Sequence, residues 1–203
     1  MSFSKLFDVD TQLTFYGAYH SNKINVLIHI VFVPVLLWTF QVMATDLPVP
    51  SFVPGIHYQI NDFLRFDLNW SAIHAGLYIA YYFILEPTAA ILYAPQLTLS
   101  LLTSTAFYAS GSDHWNIAIL IHICSWIAQF LGHGLAEKRA PALLDNLLGA
   151  VVLAPFFVHL EILFALGYKP EMHKRINNEI GKEITKLRKA QGDKKRAEAA
   201  KLS

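Results

Sequence analysis

Apolar residues in this chain fall into long runs separated by short polar breaks. From Val26 to Ala44 the chain is apolar for roughly 19 residues, close to the roughly 20 that a helix needs to cross a bilayer. Pro34 is expected to kink that helix rather than end it. Two further runs, Trp70 to Leu85 and Pro87 to Tyr108, meet at Glu86-Pro87. As one helix they would reach nearly forty residues, more than an ordinary crossing, so the pair reads as two spans with a turn between. Trp115 to Leu131 follows the short loop at 110–113, where Asp113 can cap the helix. Residues 143–167 are apolar again but interrupted by Gly149 and Pro155. Around these runs, residues 1–19 read as an interfacial segment capped at Asp10-Thr11. The Pro- and Asp-rich stretch 45–69 reads as a loop with at most a short turn, and a Lys/Glu-rich helix follows Pro170.

The pattern predicts an all-α, polytopic membrane helical bundle of about four spans, plus a re-entrant or fifth helix and a charged C-terminal helix. Residues 1–170 form the membrane-embedded part and 171–203 the charged tail. Composition agrees: of 203 residues 54% are hydrophobic and 15% charged, where a soluble domain carries about 25% charged. Eleven of the sixteen Lys and Arg lie at or beyond Lys169. That bias places the C-terminus in the cytoplasm, and the acidic 45–69 loop suits the far side. The basic run suits an anionic headgroup layer and reads as a solvated or lipid-facing surface, with no nucleic-acid partner. Four spans bring the chain back to the cytoplasmic face near His133, so 143–167 must cross or re-enter. Pro155 favours a hairpin turned there, since broken backbone at depth is tolerated where protein or a hydrated cavity covers it. Cys124 is the single cysteine and has no intramolecular partner. The first twenty residues predict no cleavable signal peptide, and the terminal Lys-Leu-Ser is not a peroxisomal address.

Nine histidines are many for a chain so poor in other polar groups. His20 and His29, nine residues apart, fall on opposite sides of a continuous helix at about 100° per residue. They converge only if the backbone breaks between them, and Ser21-Asn22 offers that break, with Asn25 placed to cap the span. Asn25 and His29 then share a face, as do Gln129, His133 and Glu137 at successive turns. His122 lies about 16 Å deeper than His133 on nearly the same face, a position for lining a cavity rather than ligating. Two or three imidazoles with one carboxylate and open positions suit a non-haem Fe(II) centre, although each histidine taken alone also fits a buried, hydrogen-bonded side chain. Glu161, Asp145 and Asn146 are further polar residues at depth. An intramembrane carboxylate is a functional candidate by default, and Glu161 reads as a partner that orients a histidine, with a ligand role as the alternative.

Tyr16, Tyr19-His20, Asn25 and Leu27-Ile28-His29 leading to Pro34 resemble the opening signature of the fungal 2-hydroxy fatty-acid dioxygenases, small membrane proteins formerly of unknown function. Residues 126–143, around Gly132-His133-Gly134-Leu135-Ala136-Glu137-Lys138-Arg139, resemble the second signature, and Leu153 to Phe157 through Glu161 and Leu166-Gly167 its continuation. The resemblance covers most of residues 12–170. It runs out over about 46–114, so His57, His74 and His114 gain nothing from it, and His122 and His159 fall where the family carries apolar residues. The resemblance implies an endoplasmic reticulum membrane enzyme that uses Fe(II) and O2 for α-oxidation of 2-hydroxy long-chain fatty acids, in the degradation of phytosphingosine. Its histidines map onto His20, His29 and His133, with Glu137 as the carboxylate and Glu161 as a competitor. Asn25, Lys23, Gln129 and Arg139 are then candidates for contact with substrate. Two rivals remain. A desaturase-like di-iron protein would need close-set His-x-x-His clusters, which the chain lacks. A haem- or metal-binding scaffold would use His29 with His122 or His74.

Overall fold

A computed structural model of the chain describes residues 3–137 and 147–202. A 3-10 turn (Phe3–Phe7) leads into α1 (Val9–Tyr19), and α2 (Lys23–Thr45) follows after a three-residue break. Asp8 caps α1, accepting from the amides of Asp10 and Thr11, so the cap lies two residues earlier than the sequence reading placed it. Asp10 itself pairs with Arg175 at 2.6 Å. Asn22 caps α2 by accepting from the Ile24 amide at 2.9 Å, which leaves Asn25 inside the helix and buried.

The stretch read as a loop holds an antiparallel hairpin, β1 (His57–Asn61) and β2 (Leu64–Asp67). Tyr58 and Ile60 alternate with polar neighbours at the period of a strand, a signal hidden by the surrounding Pro and Asp. The Phe63 amide donates to Asn61 Oδ1 at 2.8 Å in the reversal, and His57 and Arg65 both pair with Asp67.

Four helices build the bundle: α2, α3 (Trp70–Leu85), α4 (Pro87–Ala109) and α5 (His114–Leu131). Of these, α2, α4 and α5 with the turn that follows it are long and apolar enough to cross a membrane, while α3 is apolar but only 16 residues long. The chain is therefore an all-α membrane bundle with three to four candidate spans. Its helices are apolar on the outside and mixed within. Ile24, Leu27 and Val31 on α2 and Leu120, Ile123 and Ile127 on α5 are exposed at helical spacing, as a lipid-facing stripe requires. Gln41, Ser71, Ser104 and Thr105 are fully buried, and hydroxyls bind neighbouring helices: Trp38 Nε1 donates to Thr103 Oγ1 at 3.0 Å and Ser100 Oγ to Gln41 Oε1 at 2.6 Å.

Polar ties fix the direction of each helix. Thr45 contacts Ser71, joining the end of α2 to the start of α3, and Tyr108 donates to Asp46 at 2.6 Å, bringing α4 back to that end. α5 then returns to the end where α2 begins.

α6 (Leu147–Ala165) runs unbroken through Pro155, so the hairpin turned at that proline does not form. Phe156, Phe157, Val158 and Leu160 are all buried around it, and packing of this kind lets a membrane helix tolerate a missing N–H. Val151 and Val152 line the same cavity as Phe40 and His74, while Tyr168 and Lys169, just past the helix, reach Glu86 at the end of α3. α6 thus rises from within the bundle to the end where α2 starts and α5 finishes. It stops at Gly167, whose φ of 88° allows the Tyr168 amide to bond Leu163 O and its own amide Phe164 O, a glycine-dependent helix stop. α7 (Pro170–Leu202) leaves at 119° to α6 and packs Met172 and Ile176 into the same core as Leu13 and Tyr16 of α1.

Glu86 fastens this turn. Its buried carboxylate accepts from Lys169 Nζ at 2.5 Å, the Tyr168 hydroxyl at 2.6 Å and the Ala89 amide at 2.6 Å. Burial alone would raise its pKa, but the hydrogen bonds from Lys169, Tyr168 and Ala89 outweigh it and hold the carboxyl below its ordinary value of 4.5. A carboxyl depressed in the folded state contributes stability above its unfolded pKa and loses it as pH falls through the folded one. Thermal melts in detergent are therefore expected to show an acid-limb loss beginning near pH 4.5 that Glu86→Gln removes. The substitution should itself lower stability at pH 7 by about 1.5–3 kcal/mol, the worth of a hydrogen bond to a charged group.

Candidate metal centre

The break between α1 and α2 brings His20 and His29 together. His20 sits just past α1, its ring stacked 3.8 Å from that of Tyr16, and its Nδ1 lies 2.8 Å from Tyr16 O. His29 lies two turns into α2, with Nδ1 2.9 Å from Asn25 O. A carbonyl can only accept, so each Nδ1 carries the proton and each Nε2 keeps a lone pair. His133 comes from the opposite side, on a π turn (Gly132–Glu137) that extends α5. Such widened turns recur at functional sites.

The three rings form a compact triangle, with centroids 4.4, 4.8 and 5.0 Å apart and planes crossed at 68–84°. One ligand nitrogen from each lies within 4.8 Å of the other two, and all three histidines are buried. Among the described residues this is the one group of three or more such side chains able to hold a metal ion. Three buried nitrogen donors, two with their tautomers set by backbone carbonyls, suit a divalent transition metal.

The carboxylates are placed differently. Glu137 turns toward the α1–α2 break: Oε1 accepts from the Ser21 amide at 3.1 Å and its hydroxyl at 2.5 Å, and Oε2 from the Asn22 amide at 2.9 Å and Asn25 Nδ2 at 3.3 Å. Asn22 Nδ2 donates to Ala136 O in return. Glu137 therefore ties the His133 turn to the segment carrying His20 and His29. Glu161 lines a second cavity of about 550 Å³ on the other side of His20, together with Lys23 and Asn177. Arg139, Lys138, Asp145 and Asn146 lie outside the described residues.

Asn25 lies behind the site. Its carbonyl holds His29, its amide meets Glu137, and its Oδ1 is buried without a partner among the described residues. Gly132 explains that crowding: a Cβ there would stand 2.6 Å from Asn25 Oδ1 and 3.2 Å from Ile28 Cδ1. Gly132→Ala should force the π turn away from α2, costing about 1–3 kcal/mol as overpacking does and weakening metal binding measurably by isothermal titration. The sequence reading missed this glycine, together with Tyr16 as the support of His20 and Ser21 and Asn22 as partners of Glu137. A glycine next to a candidate ligand was the available sign of close helix approach.

From the triangle an apolar cavity of about 430 Å³ runs between the helices, past Val33, Leu37 and Phe130 toward Phe40 and His74. Gln129, one turn before His133, faces it with a buried Nε2 that has no partner among the described residues. His122 also lines it but has neither ring nitrogen to offer: Trp126 Nε1 donates to its Nε2 at 3.0 Å, and its Nδ1 donates to Thr39 Oγ1 at 2.8 Å. A haem pair of His29 and His122 has no support in this arrangement. His57 and His114 sit elsewhere, paired with Asp67 and Gly111 O. His159 packs against Tyr93, and His173 against Phe164.

Fold and site together define a membrane-embedded helical protein with a buried three-histidine centre, able to hold a metal, at the head of an apolar cavity. Residues 6–166 match the profile of the Mpo1-like family, described as 2-hydroxy-palmitic acid dioxygenase Mpo1-like, and the chain belongs to that family. It is 33% identical over 176 residues to the 2-hydroxy-palmitic acid dioxygenase MPO1 of Saccharomyces cerevisiae, covering 86% of this chain and 91% of that one. No solved structure matches the chain.

Proposed function

We propose that this chain is an Fe(II)-dependent dioxygenase of the endoplasmic reticulum membrane that shortens 2-hydroxy long-chain fatty acids by one carbon in sphingolipid catabolism. The observation that carries the reading is three buried imidazoles converging at one end of a cavity with apolar walls. Likeness to a protein named as a 2-hydroxy-palmitic acid dioxygenase supports the substrate class. Removal of the carboxyl carbon by O2 balances without a further reductant: R–CH(OH)–COOH plus O2 gives R–COOH, CO2 and water. His20, His29 and His133 would hold the metal, and Fe(II) bound there supplies a centre for the substrate's carboxylate and 2-hydroxyl and for O2. Zinc, which shares the donor set, has no redox chemistry.

The chain's own residues do the rest. Tyr16 O and Asn25 O hold the His20 and His29 rings in register, and Glu137 keeps their segment against the His133 turn. Gln129 offers an amide donor where the acid's head would lie, and burial of that donor makes its hydrogen bond stronger than one in water. The apolar wall excludes water and buries the acyl tail at about 0.8 kcal/mol per methylene, so the substrate arrives from the bilayer. Lys23, exposed at the start of α2, is placed to attract the carboxylate to the face. The basic α7 keeps that face cytoplasmic.

The test is product analysis. Purified protein supplied with Fe(II), O2 and 2-hydroxyhexadecanoate should release the acid one carbon shorter, with oxygen consumed one to one. Absence of that acid from protein shown to contain iron overturns the reading.

A further inference from the structure

The apolar cavity holds one more unmet polar group, far from the triangle. Phe40 lies eleven residues beyond His29 on α2, roughly 16 Å away at 1.5 Å per residue, and lines the same cavity. Beside it His74, near the start of α3, faces the cavity with its ring 4.9 Å from Phe40 and 3.9 Å from Tyr78. Its Nδ1 is buried and has no hydrogen-bond partner among the described residues. Of the other imidazoles in this wall, His122 is met by Thr39 and Trp126, His20 and His29 by backbone carbonyls, and His133 belongs to the triangle. A polar nitrogen buried among apolar side chains is costly when unmet, so the occupant of the cavity is the natural source of its partner. The cavity has a volume of about 430 Å³ and reaches from the triangle to His74, so a long chain anchored at the triangle runs toward His74.

We propose that His74 forms a second polar subsite, which takes a hydrogen-bonding group at the ω end of the acyl chain, an ω-hydroxyl in particular. The inference rests on the cavity being the acyl site of the proposed function. A hydroxyl can donate to or accept from an imidazole nitrogen, so it satisfies His74 in either tautomer. In a wall without His74 the same hydroxyl would be buried with no partner.

Displacement of a fluorescent fatty acid from the iron-loaded protein tests this, with hexadecanoate and 16-hydroxyhexadecanoate as competitors. Neither competitor carries the 2-hydroxyl, so neither is consumed. His74→Phe keeps the ring against Phe40 and Tyr78. It is expected to weaken the 16-hydroxy acid about tenfold, the worth of one hydrogen bond, and to leave hexadecanoate unchanged. If the wild type and the variant rank the two acids alike, or the variant loses both equally, the subsite does not exist. Turnover of 2-hydroxyhexadecanoate by the wild type, measured in parallel, reports on the dioxygenase reading alone. Selective loss of the ω-hydroxy acid without any turnover would keep the subsite and remove the reaction.

Discussion

Alanine at His20, His29 or His133 is expected to empty the metal site. Each ring supplies one of three donors from a group whose ligand atoms lie within 4.8 Å of one another, and two remaining imidazoles form an open, solvent-poor site with little hold on a divalent ion. Changes to residues that merely orient ligands cost 10–100-fold in metal affinity or activity, so loss of a ligand should exceed about a hundredfold. His29→Ala also removes the side-chain donor to Asn25 O inside the bundle, and its fold should be checked by circular dichroism. Iron per protein, measured by mass spectrometry, is the primary readout and chain-shortened acid the second. His114→Ala, at the exposed start of α5, is the control and should retain both. Wild-type iron content in all three variants would place the metal elsewhere.

That expectation was partly legible from the sequence. His20 and His29 can converge only across a helix break, and Ser21-Asn22 offers one, but their choice as ligands is what the resemblance to the dioxygenase family implies. His133 could be added because the count of apolar runs returns the chain to the same face. Residues whose role depends on tertiary placement were not legible. Pro155 looks like a break by local rule, yet Leu153 before it and Phe156, Phe157 and Leu160 after it are buried and hold the helix together. The 45–69 stretch looked featureless because its alternation of Tyr58 and Ile60 spans only five residues. His122 looked like a cavity-lining group and is one, but its immobilisation by Thr39 and Trp126 depends on side chains from two helices. Glu137 shows the limit best. Spacing of i, i+4 predicts that it joins His133 at the metal, whereas the π turn and the bare amides of Ser21 and Asn22 give its carboxylate other partners.

Glu137 therefore supports two chemically distinct roles, and its variants separate them. As a strut it accepts four hydrogen bonds from the α1–α2 break and Asn25, two of them from backbone amides at the N-terminus of α2, where a negative charge is favoured. Glu137→Gln keeps the shape but brings an NH2 group against those donors. Leaving one or two of them unmet should cost about 1–3 kcal/mol of stability and let the His20 segment drift from His133. Metal affinity should then fall by about 10–100-fold, the range for a group that orients ligands. The ion that still binds should keep its three nitrogen donors. In cobalt-substituted protein the visible spectrum of saturated Glu137→Gln is thus expected to match the wild type, with only the titration midpoint displaced. A changed spectrum at saturation would instead make Glu137 a ligand that swings from Ser21 and Asn22 to the metal when it binds. Ser21→Ala adds an independent check. It removes the hydroxyl that sits 2.5 Å from Oε1 but leaves the carboxylate free to ligate, so a strut predicts a smaller loss of affinity in the same direction. A ligand role predicts tighter binding instead, because Ser21 would no longer compete with the metal for that oxygen.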